Sequence, residues 1–163
     1  MSKQATGIEG KVLVIERIFD APRERVWKAW TDAESAKRWW GPKDFTAPFS
    51  RIDFRVGGTY LLCMRAPDGK DYWSTGVYKE IEPMERIVAT DSFADEKGNV
   101  VSAAHYGMSP DFPLELEVTV TFEDRGDKTA FTLHHAGLPP EENLDDMRTG
   151  WNQSLDKFAD ILK

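Results

Sequence analysis

The sequence predicts an α+β fold in which an antiparallel sheet wraps around one long C-terminal helix. Three observations carry this. From Asn143 to Lys163, Leu144, Met147, Trp151, Ser154, Leu155, Phe158 and Leu162 fall on one stripe of a helical wheel, and Asp146, Thr149, Asn152, Gln153, Asp156, Asp160 and Lys163 fall opposite. From Asp44 onward the apolar period is two, the period of strands. The remaining helical signal is short and directly follows the first strand. A single amphipathic helix and many half-apolar strands bury their faces most economically against each other.

In order, Lys11–Phe19 is rich in β-branched residues and reads as a strand. Asp20-Ala21-Pro22 stops it. Pro22 suits a helix start, where its missing N–H costs nothing, with Asp20 as a capping candidate. The helix carries Val26, Trp27 and Trp30 on one side. Thr31 and Glu34 have capping-box spacing, so a second short helix is expected from there. It presents Ala36, Trp39 and Trp40 and ends at Gly41-Pro42. Ser50–Val56 alternates, with Ile52, Phe54 and Val56 on one face, and Gly57-Gly58 reverses the chain. Strands follow at Thr59–Arg65, Tyr72–Ile81 and Arg86–Phe93, separated by the turn signals Pro67-Asp68-Gly69 and Pro83-Met84-Glu85. Asp95–Pro113 is irregular and reads as a long connection, a mobile lid over one end of the fold. In Leu114–Glu123, Leu114, Leu116, Val118, Val120 and Phe122 are predicted inward, with Glu115, Glu117, Thr119, Thr121 and Glu123 in water. Gly126-Asp127 closes a hairpin to Thr129–His135. Gly137–Pro140 leads into the last helix, with Glu141 and Glu142 near its positive end.

At 163 residues the chain is expected to form one domain, with Met1–Gly10 as a loose leader, and to bury about two-thirds of its unfolded surface. Lys plus Arg number 21 against 28 Asp plus Glu, a net charge of −7. That argues against nucleic acid and anionic membranes as partners. Cys63 is the only cysteine, which excludes an intrachain disulfide and a cysteine-rich zinc site. The N-terminus lacks the apolar region of a secretory signal, and no apolar run approaches a membrane span, so a cytoplasmic location is expected. Six Trp and nine Phe are enough to fill a core or to line a cavity.

The segments FDAPRERVWKAWTDAESAKRWWGP, RIDFRVGGTYLLCMRAPDG, GVYKEIEPMERIV, VTVTFED, HHAGL and GWNQSLDKF follow one another in this order. From about residue 11 onward the chain thereby resembles the family related to the C-terminal domain of the activator of Hsp90 ATPase. That family belongs to the START-like, helix-grip (SRPBCC) superfamily, with polyketide cyclases, plant pathogenesis-related proteins and lipid-transfer domains. The resemblance implies seven antiparallel strands gripping the C-terminal helix, two short helices after the first strand, and a cavity between sheet and helix. The matching residues are mostly structural: Pro22, Gly57, Gly58 and Gly69 serve backbone geometry, and Asp53 and Arg55 read as a sheet-edge polar pair. The activator itself carries a further N-terminal domain for chaperone contact. This length leaves no room for one, which argues against stimulation of a chaperone ATPase.

His135 is in phase with Phe131 and Leu133 and is expected to point inward, as a polar anchor for a ligand, as a general base, or as a buried histidine bonded to a backbone carbonyl. His134 should face solvent, and His105 should lie in a surface loop. Their spacing does not suit zinc. Cys63 is out of phase with Tyr60, Leu62 and Met64 and has no local base. Ser154, on the apolar stripe, reads as a close-packing residue. Gly150, inside the predicted helix, either lets a strand approach or leaves room for a ligand beside Trp151, the first being the simpler reading. One of Trp39 and Trp40 should belong to the core and the other to a cavity entrance. No nucleophile elbow, phosphate loop or dinucleotide fingerprint is present, and no cofactor is expected.

The leading expectation is a cavity for a small, mostly apolar or aromatic molecule, with Trp40, Tyr60, Leu62, Met64, Tyr78, Leu116, Val118, Val120, Leu133, His135, Trp151 and Leu155 as its walls. A cyclase- or hydrolase-like enzyme would need His135 and a partner carboxylate or tyrosine. A co-chaperone-like interaction protein would need an exposed patch on the sheet.

Overall fold

The computed structural model describes residues 10–140 and 142–163. Strand β1 (Lys11–Phe19) is followed by helices α1 (Arg23–Thr31) and α2 (Ala33–Trp39). Six strands come next: β2 (Thr46–Ile52), β3 (Thr59–Arg65), β4 (Asp71–Glu82), β5 (Arg86–Ala94), β6 (Leu116–Arg125) and β7 (Lys128–Leu138). Helix α3 (Leu144–Ile161) closes the chain. The strands form one antiparallel sheet in the order β1-β7-β6-β5-β4-β3-β2, the predicted helix-grip arrangement. Neighbours along the chain are neighbours in space, except that β1 returns to pair with β7.

Helix α3 follows the sequence stripe. Ser154, Leu155 and Phe158 are buried within it and Leu162 just beyond, with Leu144, Met147 and Trp151 packed at the margin of the core. Asn143 caps it by accepting from the N–H groups of Asp145 (3.0 Å) and Asp146 (3.2 Å). Asp145 and Asp146 place negative charge at its positive end. Arg17 ties it to β1 through Asn152 (3.0 Å) and Asp156 (2.9 Å). Phe158 is fully buried against Phe19, Trp30 and Trp39, with ring centroids 5.1–5.6 Å away.

Several expectations need correction. Helix α2 is capped by Asp32, whose carboxylate accepts from the Ser35 N–H at 3.0 Å and from its hydroxyl at 2.8 Å. Thr31 instead ends α1, its hydroxyl donating to the Trp27 carbonyl oxygen. Helix α1 has no side-chain cap, because its N-cap position is Pro22, which has no side-chain acceptor; Asp20 pairs instead with Lys128 at 2.9 Å. The strand expected at Ser50–Val56 runs over Thr46–Ile52. It contains Pro48, which β2 tolerates as an edge strand, where a missing N–H can face away from the ladder. Residues 53–58 turn instead, with Arg55 N–H on the Asp53 carbonyl oxygen and Gly58 N–H on that of Arg55. Val56 is exposed, while Phe54 still reaches inward to Trp27 and Tyr78.

Leu114 precedes β6 and is exposed rather than inward. Glu117 and Thr119, expected in water, are buried; the Glu117 carboxylate meets Lys79 Nζ at 2.6 Å. Strand β7 continues through Gly137 to Leu138. Residues 95–113 contain local structure that their lack of period did not announce. Asp95 accepts from the N–H groups of Lys97 and Asn99, Ala94 bridges to Val100, and a 3-10 turn spans Ala103–Tyr106. The Tyr106 hydroxyl donates to the Ala94 carbonyl and accepts from the Trp73 N–H at 3.1 Å. The expected Met1–Gly10 leader lies outside the described residues except for Gly10, which rests against Gly137 and Leu138. Glu141 also lies outside them.

Candidate ligand-binding site

Pairing register decides which side chains face α3. Opposed residues of an antiparallel pair share a face. Leu13, His135 and Val118 lie in one row across β1, β7 and β6, and Val118 pairs in turn with Ala89. Leu116 pairs with Asp91, Ser74 with Leu62 and with Phe93, and Met64 with Tyr72. This concave face is not filled completely by α3.

Among the described residues, two neighbouring hollows lie between sheet and helices. The larger, about 240 Å³, is bordered by the sheet residues Met64, Tyr72, Phe93, Leu116 and His135 and by Met147, Gly150 and Trp151 of α3. Trp40, Gly41 and Pro42 border it from the end of α2, and Phe112 and Pro113 from the connection before β6. The smaller, about 70 Å³, lies towards α1 and α2, against Trp30, Ala36 and Trp39, with Tyr60, Leu62, Tyr78, Val118 and Val120 on its sheet side. Trp40, Asp91 and Trp151 border both hollows and form the partition between them.

Of the predicted wall residues, Trp40, Met64, Leu116, His135 and Trp151 line the larger hollow. Trp40, Tyr60, Leu62, Tyr78, Val118, Val120 and Trp151 line the smaller. Leu133 and Leu155 line neither. Both are fully buried in the closed core. Trp39 is the core member of the tryptophan pair, its indole N–H donating to the Ala29 carbonyl oxygen at 3.2 Å, and Trp40 is the wall. Ser154 donates to the Trp39 carbonyl oxygen at 2.8 Å and so fixes α3 to the end of α2.

The polar centre of the partition is a short chain of contacts. The Trp151 indole N–H donates to His135 Nδ1 at 3.1 Å. An indole nitrogen can only donate, so Nδ1 carries the lone pair and the neutral ring holds its proton on Nε2. His135 is thus bonded to a side chain and not to a backbone carbonyl. Its Nε2 lies 3.1 Å from Asp91 Oδ2, but the approach is misaligned, and this buried atom has no proper hydrogen-bond partner. A buried donor left unmet costs about 1–3 kcal/mol. The Tyr60 hydroxyl reaches Asp91 Oδ1 at 3.2 Å and the Thr90 carbonyl oxygen at 2.9 Å. Burial first, then the Asp91 carboxylate and Tyr78, hold the Tyr60 hydroxyl well above its ordinary pKa, so it remains a donor. Burial similarly raises Tyr78.

Asp91 was missed in the sequence, as were Tyr72, Phe93, Phe112 and Met147. A signal existed: Ile87, Ala89, Asp91 and Phe93 share one parity of β5, which puts a carboxylate on an otherwise apolar strand face. Cys63 is buried on the opposite face, its thiol pushed up to about 11 chiefly by burial. His105 is exposed, and His134 is only half-buried. Among the described residues, no three His, Cys, Asp or Glu side chains converge as a metal site would require.

Gly150 borders the larger hollow, and a Cβ built there would have nothing within 4 Å. It is not a point of close strand approach; it leaves space beside Trp151. Gly150→Ala should therefore stabilise the fold by about 0.5–1 kcal/mol in urea unfolding, through helix propensity alone. A loss of stability would show that the space is not free.

A seven-stranded sheet gripping a C-terminal helix, with hollows between them, defines a helix-grip protein, a scaffold that in general binds ligands. The family model for activator of Hsp90 ATPase homolog 1-like protein (AHSA1) matches residues 20–163, and the chain belongs to that family. Among solved structures, a Chromobacterium violaceum protein is similar at 27% identity and a TM-score of 0.77, over 93% of this chain and 96% of that one. An AHSA1 protein from Silicibacter pomeroyi is similar at 24% identity and a TM-score of 0.75, over 93% and 97%. The AHSA1-like protein from Aeromonas hydrophila reaches 24% identity and a TM-score of 0.69, over 92% and 90%. No curated protein matches the chain. Among the described residues, no helix is long and apolar enough to cross a membrane.

Proposed function

We propose that the protein binds a small, mostly apolar or aromatic molecule in the larger hollow, with its polar end against His135 and Asp91, and that it does so in the cytoplasm. The observation that carries this reading is the buried His135 Nε2, left without an aligned partner at the edge of a space walled by Trp40, Tyr72, Phe93 and Trp151. Apolar walls with a few convergent polar groups are the usual composition of a small-molecule site. Binding accounts for this geometry better than turnover. A general base needs a free lone pair, and that of His135 is occupied by the Trp151 N–H. The lone thiol, Cys63, is buried on the other face of the sheet.

Native mass spectrometry of freshly purified protein tests the reading. The expected result is a fraction of the protein carrying a small molecule that is released on denaturation. Bare protein that also fails to take up any of a panel of soluble aromatic compounds would contradict it.

A further inference from the structure

The chemistry of the partition specifies the ligand more closely, in an inference that rests on the reading just given. We propose that the molecule is a small organic cation, an aromatic amine-bearing compound whose ammonium group lodges against Asp91 rather than against the His135 Nε2–H, to which an ammonium offers no lone pair. Three observations point there.

First, the balance of charge is one-sided. Asp91 borders both hollows, and among the described residues no lysine or arginine lines either. Two nearby ammonium groups are accounted for elsewhere. Lys157 Nζ donates to the Pro42 and Phe45 carbonyl oxygens at 3.2 Å, and Lys70 Nζ lies 5.2 Å from the Tyr72 ring centroid without lining a hollow.

Second, Asp91 is under-used. Its carboxylate offers about four lone-pair positions. One receives a proton that Tyr60 shares with the nearer Thr90 carbonyl oxygen, and Oδ2 has only the misaligned His135 ring. The neutral, Nε2-protonated imidazole fixed by Trp151 brings no compensating charge. A largely enclosed carboxylate without a fixed cation is the arrangement that a ligand cation completes.

Third, the walls suit a cation beyond the carboxylate. Trp40 and Trp151, set edge to face with centroids 5.9 Å apart, stand on the same partition as Asp91. Aromatic faces attract cations through the ring quadrupole, tryptophan most strongly, and most where water is excluded. An anionic ligand could accept from the His135 Nε2–H, but it would meet the same faces and the same carboxylate as repulsion.

The test uses three soluble probes of one shape: 2-phenylethylamine, 2-phenylethanol and phenylacetate. They are cationic, neutral and anionic at neutral pH. Each is titrated into the full chain, following tryptophan fluorescence, since Trp40 and Trp151 border the space. The amine is expected to bind about tenfold or more tighter than the alcohol, and phenylacetate more weakly than either. Asp91→Asn is expected to remove most of the amine's advantage over the alcohol, the ratio of the two affinities being the quantity read. The alcohol titration also reports that the variant is folded. The wild-type ranking needs no variant and decides the question if Asp91→Asn does not fold. Equal or tighter binding of the alcohol or of phenylacetate would overturn the cation assignment and leave the binding reading standing. No response to any of the three would overturn both.

Discussion

Phe158→Ala is expected to destabilise the protein by about 3–5 kcal/mol, the cost of removing a fully buried aromatic ring and leaving a cavity. The surrounding rings hold the gap open. Phe158 is buried to 0% exposure and packs against Phe19, Trp30 and Trp39, three rings held by different elements, β1, α1 and α2. None can move into the space without leaving its other partners, since Trp30 also stacks on Trp39 and Trp39 is tethered to the Ala29 carbonyl oxygen. Urea unfolding measures the effect directly. A loss below about 1 kcal/mol would mean that the helix is not gripped as described.

The second large effect comes from adding a single methyl group. Gly76 lies in β4 opposite Tyr60, and a Cβ there would fall 1.9 Å from the Thr90 carbonyl oxygen and 2.5 Å from Tyr60 Cε2. The absence of a side chain is what lets the Tyr60 ring cross this strand and reach Asp91 and the Thr90 carbonyl. Gly76→Ala must push β4 from β5 or turn Tyr60 out, and a cost of about 3 kcal/mol or more is expected, at the upper end for overpacking. It should also remove the Tyr60 contact to Asp91. Unfolding at wild-type denaturant concentration would show that β4 and β5 are less closely apposed than the geometry gives.

What could be read from the sequence divides along physical lines. Periodicity located α3 and its buried face, because Leu155, Phe158 and Leu162 carry enough apolar surface to fix the phase unaided. The strands with clean punctuation, β3 at Thr59–Arg65 and β1 at Lys11–Phe19, kept the predicted bounds. β2 did not. Its alternation over Ile52, Phe54 and Val56 was produced by a turn that happens to half-bury Phe54, while the real strand contains Pro48. β6 was located, but its outer face was misjudged. Glu117 reads as a solvent residue until the Lys79 ammonium that meets its carboxylate is known, and that pairing lies 38 residues away.

The site was less legible than the fold. His135 could be placed inward from its phase with Phe131 and Leu133, but its partners Trp151 and Asp91 come from α3 and β5, which only the folded register brings together. Leu133 and Leu155 have the same parity or stripe as residues that line a hollow, yet they are fully buried in the core. Gly150 shows the same limit. Its cost to the helix was visible in the sequence, while the space beside it is a property of the assembled walls.

The central claim, that the space between sheet and helix is kept open for a ligand, is tested most directly by Met64→Trp. Met64 is half-buried on β3, borders the larger hollow and shares its face with Tyr72. If the hollow is a ligand space, the indole can enter it. Urea unfolding should then change by less than about 1 kcal/mol, while an environment-sensitive apolar dye that binds the wild type should lose most of its affinity for the variant. If the hollow is only loosely drawn core, the added volume should cost about 1–3 kcal/mol or more. That loss of stability, together with no dye binding by the wild type, would contradict the claim.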